Sequence, residues 1–172
     1  MGTLNQVLAS LKNHAPRSVL VTGPQRSGTT IAAHILAHEL AYAYVDEDEV
    51  HVHNADEARQ VLRQIRVVLQ APGLCSIADR LNALVVIMRR DLAAIAASEK
   101  RIGWVAAEAN EYCRYGLDPA QGPIAALKYR IFDALQKPFC MAFDLEYESL
   151  AEHPLWVPAE RRAAFTPRQW AE

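Results

Sequence analysis

The sequence predicts an α/β fold in three layers, with a mainly parallel five-stranded sheet and helices on both faces. Short apolar segments rich in β-branched residues alternate with longer segments whose apolar residues recur at helical spacing. The run Leu84-Val-Val-Ile-Met88 has no polar alternation, which is typical of a strand buried on both faces. Strands that alternate with helices at this interval pair in parallel, and a binding crevice forms at their carboxyl ends.

The elements follow from this pattern and from boundary signals. Strands are predicted at about 18–22, 41–45, 66–70, 84–88 and 139–143. Helices are predicted at about 4–11, from 29 onward, and at 54–64, 74–81, 91–98, 103–115 and 124–136. Pro16 ends the first helix, and Asn54 with Glu57 forms a capping-box pattern. Asp91 is a suitable cap for the helix that carries Ser98.

The composition indicates one domain, 1–172, with a sizeable core. The chain has 172 residues, 51% of them hydrophobic, and a net charge of −2. This balance excludes a global attraction to nucleic acid or to an anionic membrane, so a polyanion must be bound locally. Neither a secretory signal nor a transmembrane run is present, and Cys75, Cys113 and Cys140 are far apart in apolar contexts. We therefore expect a soluble cytoplasmic protein with buried thiols.

A phosphate-binding loop is predicted where the first strand meets the next helix. Residues 19–30 read Val-Leu-Val-Thr-Gly-Pro-Gln-Arg-Ser-Gly-Thr-Thr. Gly23 and Gly28 allow a tight turn, and the following helix directs the positive end of its dipole toward a bound anion. The spacing fits the nucleotide-binding P-loop pattern, except that Thr29 stands where that pattern has lysine. Arg26 is the cation of the loop, so we expect a P-loop fold whose chemistry differs from ordinary nucleotide hydrolysis.

Two further motifs follow later strands. Arg89-Arg90-Asp91 comes directly after the fourth strand, and Ser98 lies eight residues beyond Arg90. Tyr147-Glu148-Ser149-Leu150, followed by Pro154, lies just beyond the fifth strand. Together with the loop, these motifs resemble the PAPS-dependent sulfotransferases, particularly those whose loop reads Gly-x-x-Arg-Ser-Gly-Thr-Thr. The resemblance spans roughly residues 18–154.

The resemblance implies a function and a set of donor-binding residues. Members transfer a sulfuryl group from PAPS (3′-phosphoadenosine 5′-phosphosulfate) to a hydroxyl or an amine, here on a small or polymeric acceptor. The loop would bind the 5′-phosphosulfate, while Arg90 and Ser98 would hold the 3′-phosphate. The implied loop residues are Gly23, Pro24, Gln25, Arg26, Ser27, Gly28, Thr29 and Thr30.

Elementary electrostatics supports this two-site arrangement. A donor with phosphate groups at two ends of its ribose needs two anion sites, which the first and second motifs supply. Negative charge develops on the bridging oxygen of the departing phosphate, so Arg26 inside the loop is the best-placed catalytic cation. Thr29 and Thr30 can donate hydrogen bonds to the same oxygens, so no metal ion is strictly required.

A general base is expected in the segment after the second strand. Deprotonating an acceptor hydroxyl requires a base near the sulfuryl group. The candidates are Asp46, Glu47, Asp48, Glu49, His51 and His53. We select Glu47 and His51, because members of the resembled family use either a glutamate or a histidine. The stretch 46–49 is equally compatible with a solvated loop.

Structural interpretations compete for some of these residues. Arg90 could form a surface ion pair with Asp91 or with a nearby glutamate. Tyr147 and Glu148 are interpreted as tying the last strand to the sheet through buried hydrogen bonds. These interpretations need no ligand.

Other polar and aromatic residues are weighed in the same way. His34 and His38 are interpreted as helix-surface residues rather than as a metal pair. Trp104 is interpreted as a packing residue, although it could stack on the donor's adenine. The segment 156–170 either packs its aromatic residues on the core or covers the donor's second phosphate.

Two other functions stay open. A small kinase of the same architecture would use ATP with magnesium, with Asp46 or Asp48 as base and Thr30 as a metal ligand. The missing loop lysine and the lack of an aspartate after the fourth strand count against it, whereas the small size favours it. A non-catalytic nucleotide-binding module would report occupancy to a partner through the segment 46–54.

Overall fold

Strands and helices alternate in the computed structural model, which describes residues 2–52, 54–103, 112, 117–134 and 141–156. The helices with described bounds are α1 (Leu4–His14), α2 (Thr29–Leu40), α3 (Ala55–Leu62), α4 (Leu92–Arg101) and α5 (Ile124–Asp133). The strands are β1 (Ser18–Thr22), β2 (Ala43–Asp46), β3 (Val67–Gln70), β4 (Leu84–Arg89) and β5 (Ala142–Glu146). Segments of 3₁₀ helix cover Pro72–Arg80, Pro119–Gln121 and Tyr147–Glu152.

The five strands form one sheet in the order β2-β3-β1-β4-β5, and every pairing is parallel. This confirms the predicted α/β architecture. β1 is central, with Val19 opposite Val68 of β3 on one side and opposite Leu84 of β4 on the other. The carboxyl ends of all five strands therefore meet at one edge of the sheet, where the predicted motifs begin.

Helices cover both faces of the sheet, as predicted. Val19 and Val21 of β1 pack in the cluster formed with α1 and α2. Leu20 points to the opposite face, in the cluster formed with α3, Pro72–Arg80 and Phe132 of α5. Because both faces are covered, β1 is buried along its whole length, which fixes the start of the loop that follows it.

The last strand differs from its prediction. Residues 139 and 140 of the predicted strand 139–143 lie outside the described residues, and β5 covers Ala142–Glu146, so the strand continues past the apolar residues that suggested it. It is half-buried at the edge of the sheet, so Asp144 is accommodated by an ion pair between its Oδ1 and Arg89 Nε at 2.9 Å. Gly2 covers part of this edge, since its N–H donates to the Asp144 carbonyl and its carbonyl accepts from the Glu146 N–H.

Two other strands begin later than predicted because a preceding residue turns the backbone. Ala41 ends α2 in the left-handed conformation (φ 55°), so β2 begins at Ala43 rather than at 41. Arg66 does the same before β3 (φ 62°). The helix predicted at 74–81 is the 3₁₀ segment Pro72–Arg80.

Several predictions fall outside the described residues. These are the helix 103–115 apart from Gly103 and the helical Tyr112, the end of the helix 124–136, His53, Trp104, Cys113, Cys140 and the chain beyond 156. Cys75 is fully buried, as predicted. Within the described ranges, no helix combines the length and the apolar character needed to cross a bilayer.

Candidate functional site

The phosphate loop, residues 23–30, joins the carboxyl end of β1 to the first turn of α2. Three of its residues have positive φ angles: Gly23 (147°), Arg26 (64°) and Gly28 (96°). Ser27 closes the turn, because both its N–H (3.1 Å) and its hydroxyl (2.6 Å) donate to the Pro24 carbonyl. A left-handed arginine is strained by about 1–2 kcal/mol, and such strain is found at ligand sites where the surroundings hold it.

Both glycines of the loop are required by close neighbours as well as by backbone angle. A Cβ at Gly28 would lie 2.4 Å from Tyr147 Cδ2, and one at Gly23 would lie 2.9 Å from Ser27 Oγ and 3.1 Å from the Met88 carbonyl. The loop is thus enclosed by β4 beneath it and by the Tyr147 ring beside it.

Arg26, Ser98 and Arg90 come together against this loop, although they are far apart in the sequence. Arg26 Nε donates to Ser98 Oγ at 3.1 Å, and Arg90 Nη1 donates to the Arg26 carbonyl at 2.8 Å. Asp91 accepts from the Ala94 N–H at 3.0 Å, which caps the helix that presents Ser98. The first two motifs therefore contact each other at the carboxyl ends of β1 and β4.

Arg90 is held by groups that do not neutralise it. Its guanidinium carbon lies 4.0 Å from the centroid of the Tyr147 ring, and its backbone N–H donates to the Tyr129 hydroxyl at 2.9 Å. Among the described residues it makes no ion pair, so the predicted alternative of a surface salt bridge with Asp91 is not observed there. Its Nε is buried without a hydrogen-bond partner within the same part of the chain.

Arg89 has the opposite environment. Its Nη2 and Nε contact Asp133 Oδ1 (2.6 Å) and Asp144 Oδ1 (2.9 Å). Burial works against the charge, but the hydrogen bonds with Asp144 and Asp133 outweigh it and raise the pKa of Arg89. The two adjacent arginines are thus distinct, since two carboxylates pair with Arg89 whereas no carboxylate of the described residues pairs with Arg90.

Tyr129 supports this arrangement from α5. Burial raises the pKa of its phenol, so the hydroxyl stays protonated and is able both to accept from the Arg90 N–H and to donate to the Arg90 carbonyl at 3.4 Å. Its ring also lies against the Arg89 guanidinium, 4.9 Å from centroid to carbon. Neither contact could be inferred from the motifs.

The two threonines of the loop face different surroundings. Thr29 is buried, and its Oγ1 accepts from Gln70 Nε2 at 3.1 Å. Thr30 is exposed in the first turn of α2. Thr29 thus connects the loop to the carboxyl end of β3, while Thr30 is the threonine open to solvent.

The candidate bases differ in how firmly they are held. Glu47 donates its N–H to the Gln70 carbonyl (3.0 Å), and its Oε2 accepts from the Gly73 N–H (3.1 Å). Both oxygens of Asp46 are engaged, by the Tyr44 hydroxyl (2.6 Å) and by the Asp48 N–H (3.0 Å).

The histidines considered from the sequence have contrasting environments. His51 is exposed in a turn with φ 52°. His34 stacks on the Tyr44 ring at 3.8 Å between centroids and is half-buried, so its assignment to the helix surface is wrong, whereas His38 is exposed as predicted. Burial lowers the pKa of His34, against a weaker opposing effect of Asp46. In the described part of the chain, no group of three or more His, Cys, Asp or Glu residues could hold a metal ion.

Tyr147 contacts the phosphate loop through its ring. The ring lies between Gly28 and the Arg90 guanidinium and meets Trp156 edge-on, with centroids 5.2 Å apart. An aromatic residue after the last strand was the only signal for this contact.

The sequence reasoning also missed Lys128. It is fully buried on α5, and its Nζ donates to Oε1 of Gln25 in the phosphate loop. A signal was present, because Lys128 lies with Ile124, Leu127 and Ile131 on the apolar stripe of the helix, where a lysine is out of place.

No protein-family model matches the sequence, and no curated protein matches it significantly. The fold and the site together define an α/β protein with a glycine-bounded loop at the carboxyl end of its central strand, two arginines beside that loop, and a buried lysine in contact with it.

The enclosure of Gly28 by Tyr147 can be tested by mutation. We expect Gly28→Ala to reduce the free energy of unfolding, measured by urea denaturation, by about 1–2 kcal/mol for its backbone angle and by about 1–3 kcal/mol more for the overlap with Tyr147. Gly103→Ala is the control, since Gly103 also has positive φ (69°) but a Cβ there meets no atom of the described residues within 4 Å. Equal losses in the two variants would contradict the close contact.

Proposed function

We propose that the protein is a sulfotransferase that transfers a sulfuryl group from PAPS to a hydroxyl or an amine on a small or polymeric acceptor. The observation that carries the proposal is the cluster of Arg26, Ser98 and Arg90 against the phosphate loop. The spacing of Arg90 and Ser98 that carries the resemblance to sulfotransferases is thus accompanied by proximity to the loop.

The charges of the cluster suit a donor with several anionic groups. Arg89 is neutralised by Asp133 and Asp144, whereas Arg90 makes no ion pair within the described residues and contacts the loop through the Arg26 carbonyl. A buried donor without a partner costs about 1–3 kcal/mol, which a phosphate oxygen accepting from Arg90 Nε would recover. The residues present therefore fit an anionic ligand.

The residues at the carboxyl ends of the strands next to the loop favour a sulfotransferase over a kinase. A magnesium-dependent kinase needs carboxylate ligands beside its phosphate loop. At that edge β3 ends in Gln70, whose amide donates to Thr29, and β4 ends in Arg89 followed by Arg90. Asp46 at the end of β2 is engaged by Tyr44 and Asp48.

The proposed reaction assigns one task to each of three residues. PAPS supplies an activated sulfuryl group, whose bond to the phosphate oxygen breaks as a bond to the acceptor forms. Arg26 neutralises the charge that accumulates on the departing phosphate. Glu47 removes the acceptor proton, and we prefer it to His51 because a bond to Gly73 fixes its carboxylate beside β3. Arg90 holds the second phosphate.

The donor assignment is tested by thermal shift. We expect 3′,5′-ADP to stabilise the protein, with an affinity reduced about 10- to 100-fold in Arg90→Ala, because a charge-assisted hydrogen bond is lost. Arg63→Ala should bind normally. Arg63 follows Leu62, whose carbonyl accepts from Ser18 at the beginning of β1, so it lies at the opposite end of the sheet. Stabilisation by ATP that requires magnesium, with no response to 3′,5′-ADP, would refute the proposal.

The turnover of an Arg26→Ala variant distinguishes an enzyme from a non-catalytic binding module. In assays of PAPS turnover with a panel of hydroxyl and amine acceptors, Arg26→Ala should lower turnover about 10²- to 10³-fold while donor binding partly survives. Arg63→Ala is again the control. If the wild-type protein binds 3′,5′-ADP but turns over PAPS with no acceptor of the panel, the binding module becomes the better description.

The base assignment predicts a contrast between two variants. Glu47→Gln should lower turnover about 10²- to 10⁴-fold, since it removes the proton acceptor but keeps the shape of the side chain. His51→Asn should change turnover little. The same acceptor assay measures both, and a larger loss in His51→Asn would transfer the role of base to His51.

A further inference from the structure

The carboxyl end of β3 contacts the phosphate loop through a buried side chain. Gln70, the last residue of β3, is 4% exposed, and its Nε2 donates to Thr29 Oγ1 at 3.1 Å. Thr29 is buried to the same extent and begins α2 directly after Gly28. The sheet fixes Gln70 from both sides, since it stands opposite Val21 of β1 and Asp46 of β2. The amide is therefore held in place beneath the loop.

This contact determines the direction of the Thr29 proton. An amide NH₂ group can only donate, so the Thr29 oxygen is the acceptor of the bond. A hydroxyl that accepts on one side carries its own proton toward another acceptor. Thr29 lies in the first turn of α2, at the positive end of the helix dipole, where a bound anion would offer such an acceptor. Gln70 thus prepares Thr29 to donate to an anion.

Gln70 also stands where a magnesium-dependent loop needs a carboxylate. Nucleotide-hydrolysing proteins with a phosphate loop hold Mg²⁺ through a loop hydroxyl and an aspartate outside the loop. Here the strand next to β1 ends in an amide, which directs an N–H at the loop hydroxyl and brings no negative charge to balance a cation. Asp46, at the end of the following strand, is engaged by Tyr44 and Asp48. These groups fit an anion alone better than an anion with magnesium.

We propose that Gln70 is a positioning residue that makes the site take its anion without a divalent cation. Its amide holds Thr29 as a hydrogen-bond donor to the anion and occupies the place where a carboxylate would bind magnesium. Independent support for an anion comes from Arg90, whose Nε is buried without a hydrogen-bond partner in the described part of the chain. The naming of the anion as the phosphosulfate of PAPS rests on the proposed function, whereas the contact between Gln70 and Thr29 does not.

Calorimetry of the full chain with inorganic pyrophosphate, in EDTA or in excess magnesium, tests the proposal. The wild-type protein should bind pyrophosphate in EDTA, and magnesium should not strengthen binding, because it competes for the same oxygens. Thr29→Val should weaken binding about tenfold, since it removes the hydroxyl but keeps the shape of the side chain. Gln70→Met should weaken it less, and the double variant should bind no more weakly than Thr29→Val, because Gln70 acts through Thr29.

Gln70→Glu gives a readout that a purely structural role would not change. A carboxylate accepts the Thr29 proton instead of donating to the oxygen, and it places a negative charge near the anion. Binding in EDTA should therefore fall at least about tenfold, and magnesium should restore part of the loss. Gln64→Glu is the matched control, because Gln64 is exposed before the beginning of β3, at the opposite end of the strand. It should bind as the wild-type protein does under both conditions.

Several outcomes would overturn the proposal. They are wild-type binding that is absent or requires magnesium, unchanged affinity in Thr29→Val, and a Gln70→Glu variant that loses no affinity in EDTA or regains none in magnesium. If Gln70→Glu does not fold, the cycle of Gln70→Met and Thr29→Val decides. Multiplied losses in that double variant would mean that Gln70 does not act through Thr29.

The same experiment separates this proposal from the proposed function. Pyrophosphate carries neither adenosine nor a sulfuryl group, so its binding does not depend on the identity of the donor. The expected pattern of pyrophosphate binding, together with no response to 3′,5′-ADP, would remove the sulfotransferase assignment and leave the role of Gln70 intact. Stabilisation by 3′,5′-ADP together with unchanged pyrophosphate affinity in Thr29→Val would do the reverse.

Discussion

The hydrogen bond from Arg90 Nη1 to the Arg26 carbonyl, at 2.8 Å, is the contact on which the arrangement of the site depends. It joins the carboxyl end of β4 to the middle of the phosphate loop, where Arg26 has an unfavourable left-handed backbone. The hydrogen bond from Arg90 compensates part of that strain, and the Tyr147 ring lies 4.0 Å from the guanidinium carbon. The loop is therefore shaped by a residue far away in the sequence as much as by its own glycines.

Arg89 and Arg90 are adjacent in the sequence but have different partners, and a count of charges does not reveal this difference. Arg89 is neutralised by carboxylates on α5 and β5, and so contributes to stability and to the attachment of β5. Arg90 is surrounded by an aromatic ring, a phenol and a carbonyl, which hold it without cancelling its charge. The net charge of −2 for the whole chain therefore does not show which arginines are paired with carboxylates.

The fold could be predicted from the sequence because its signals are local. Unbroken apolar runs marked the buried strands, and the all-parallel sheet followed from their alternation with helices. The boundary of β5 was misplaced because this strand lies at the edge of the sheet. A strand that is only half-buried can contain polar residues, so an apolar run does not mark its end. Left-handed residues such as Ala41 and Arg66 shifted the beginnings of β2 and β3.

The site was predictable only in part. The order of motifs identified Gly23, Arg26 and Gly28, and the spacing of Arg90 and Ser98 proved to reflect proximity to the loop. Lys128 on the apolar stripe of α5 was a signal in the sequence, but the partners of α5 could not be predicted, since they depend on how a distant helix docks on the sheet. The inward turn of Thr29 toward Gln70 likewise depends on a neighbouring strand rather than on the loop pattern.

The pairing of Gly2 with β5 has a consequence for self-association. An uncovered strand at the margin of a sheet is a template on which another chain can add a strand. Gly2 occupies both the Asp144 carbonyl and the Glu146 N–H, so an incoming strand would first have to displace it. Growth of the sheet by strand addition is thereby obstructed on this margin, and the short β2 is the margin on the opposite side.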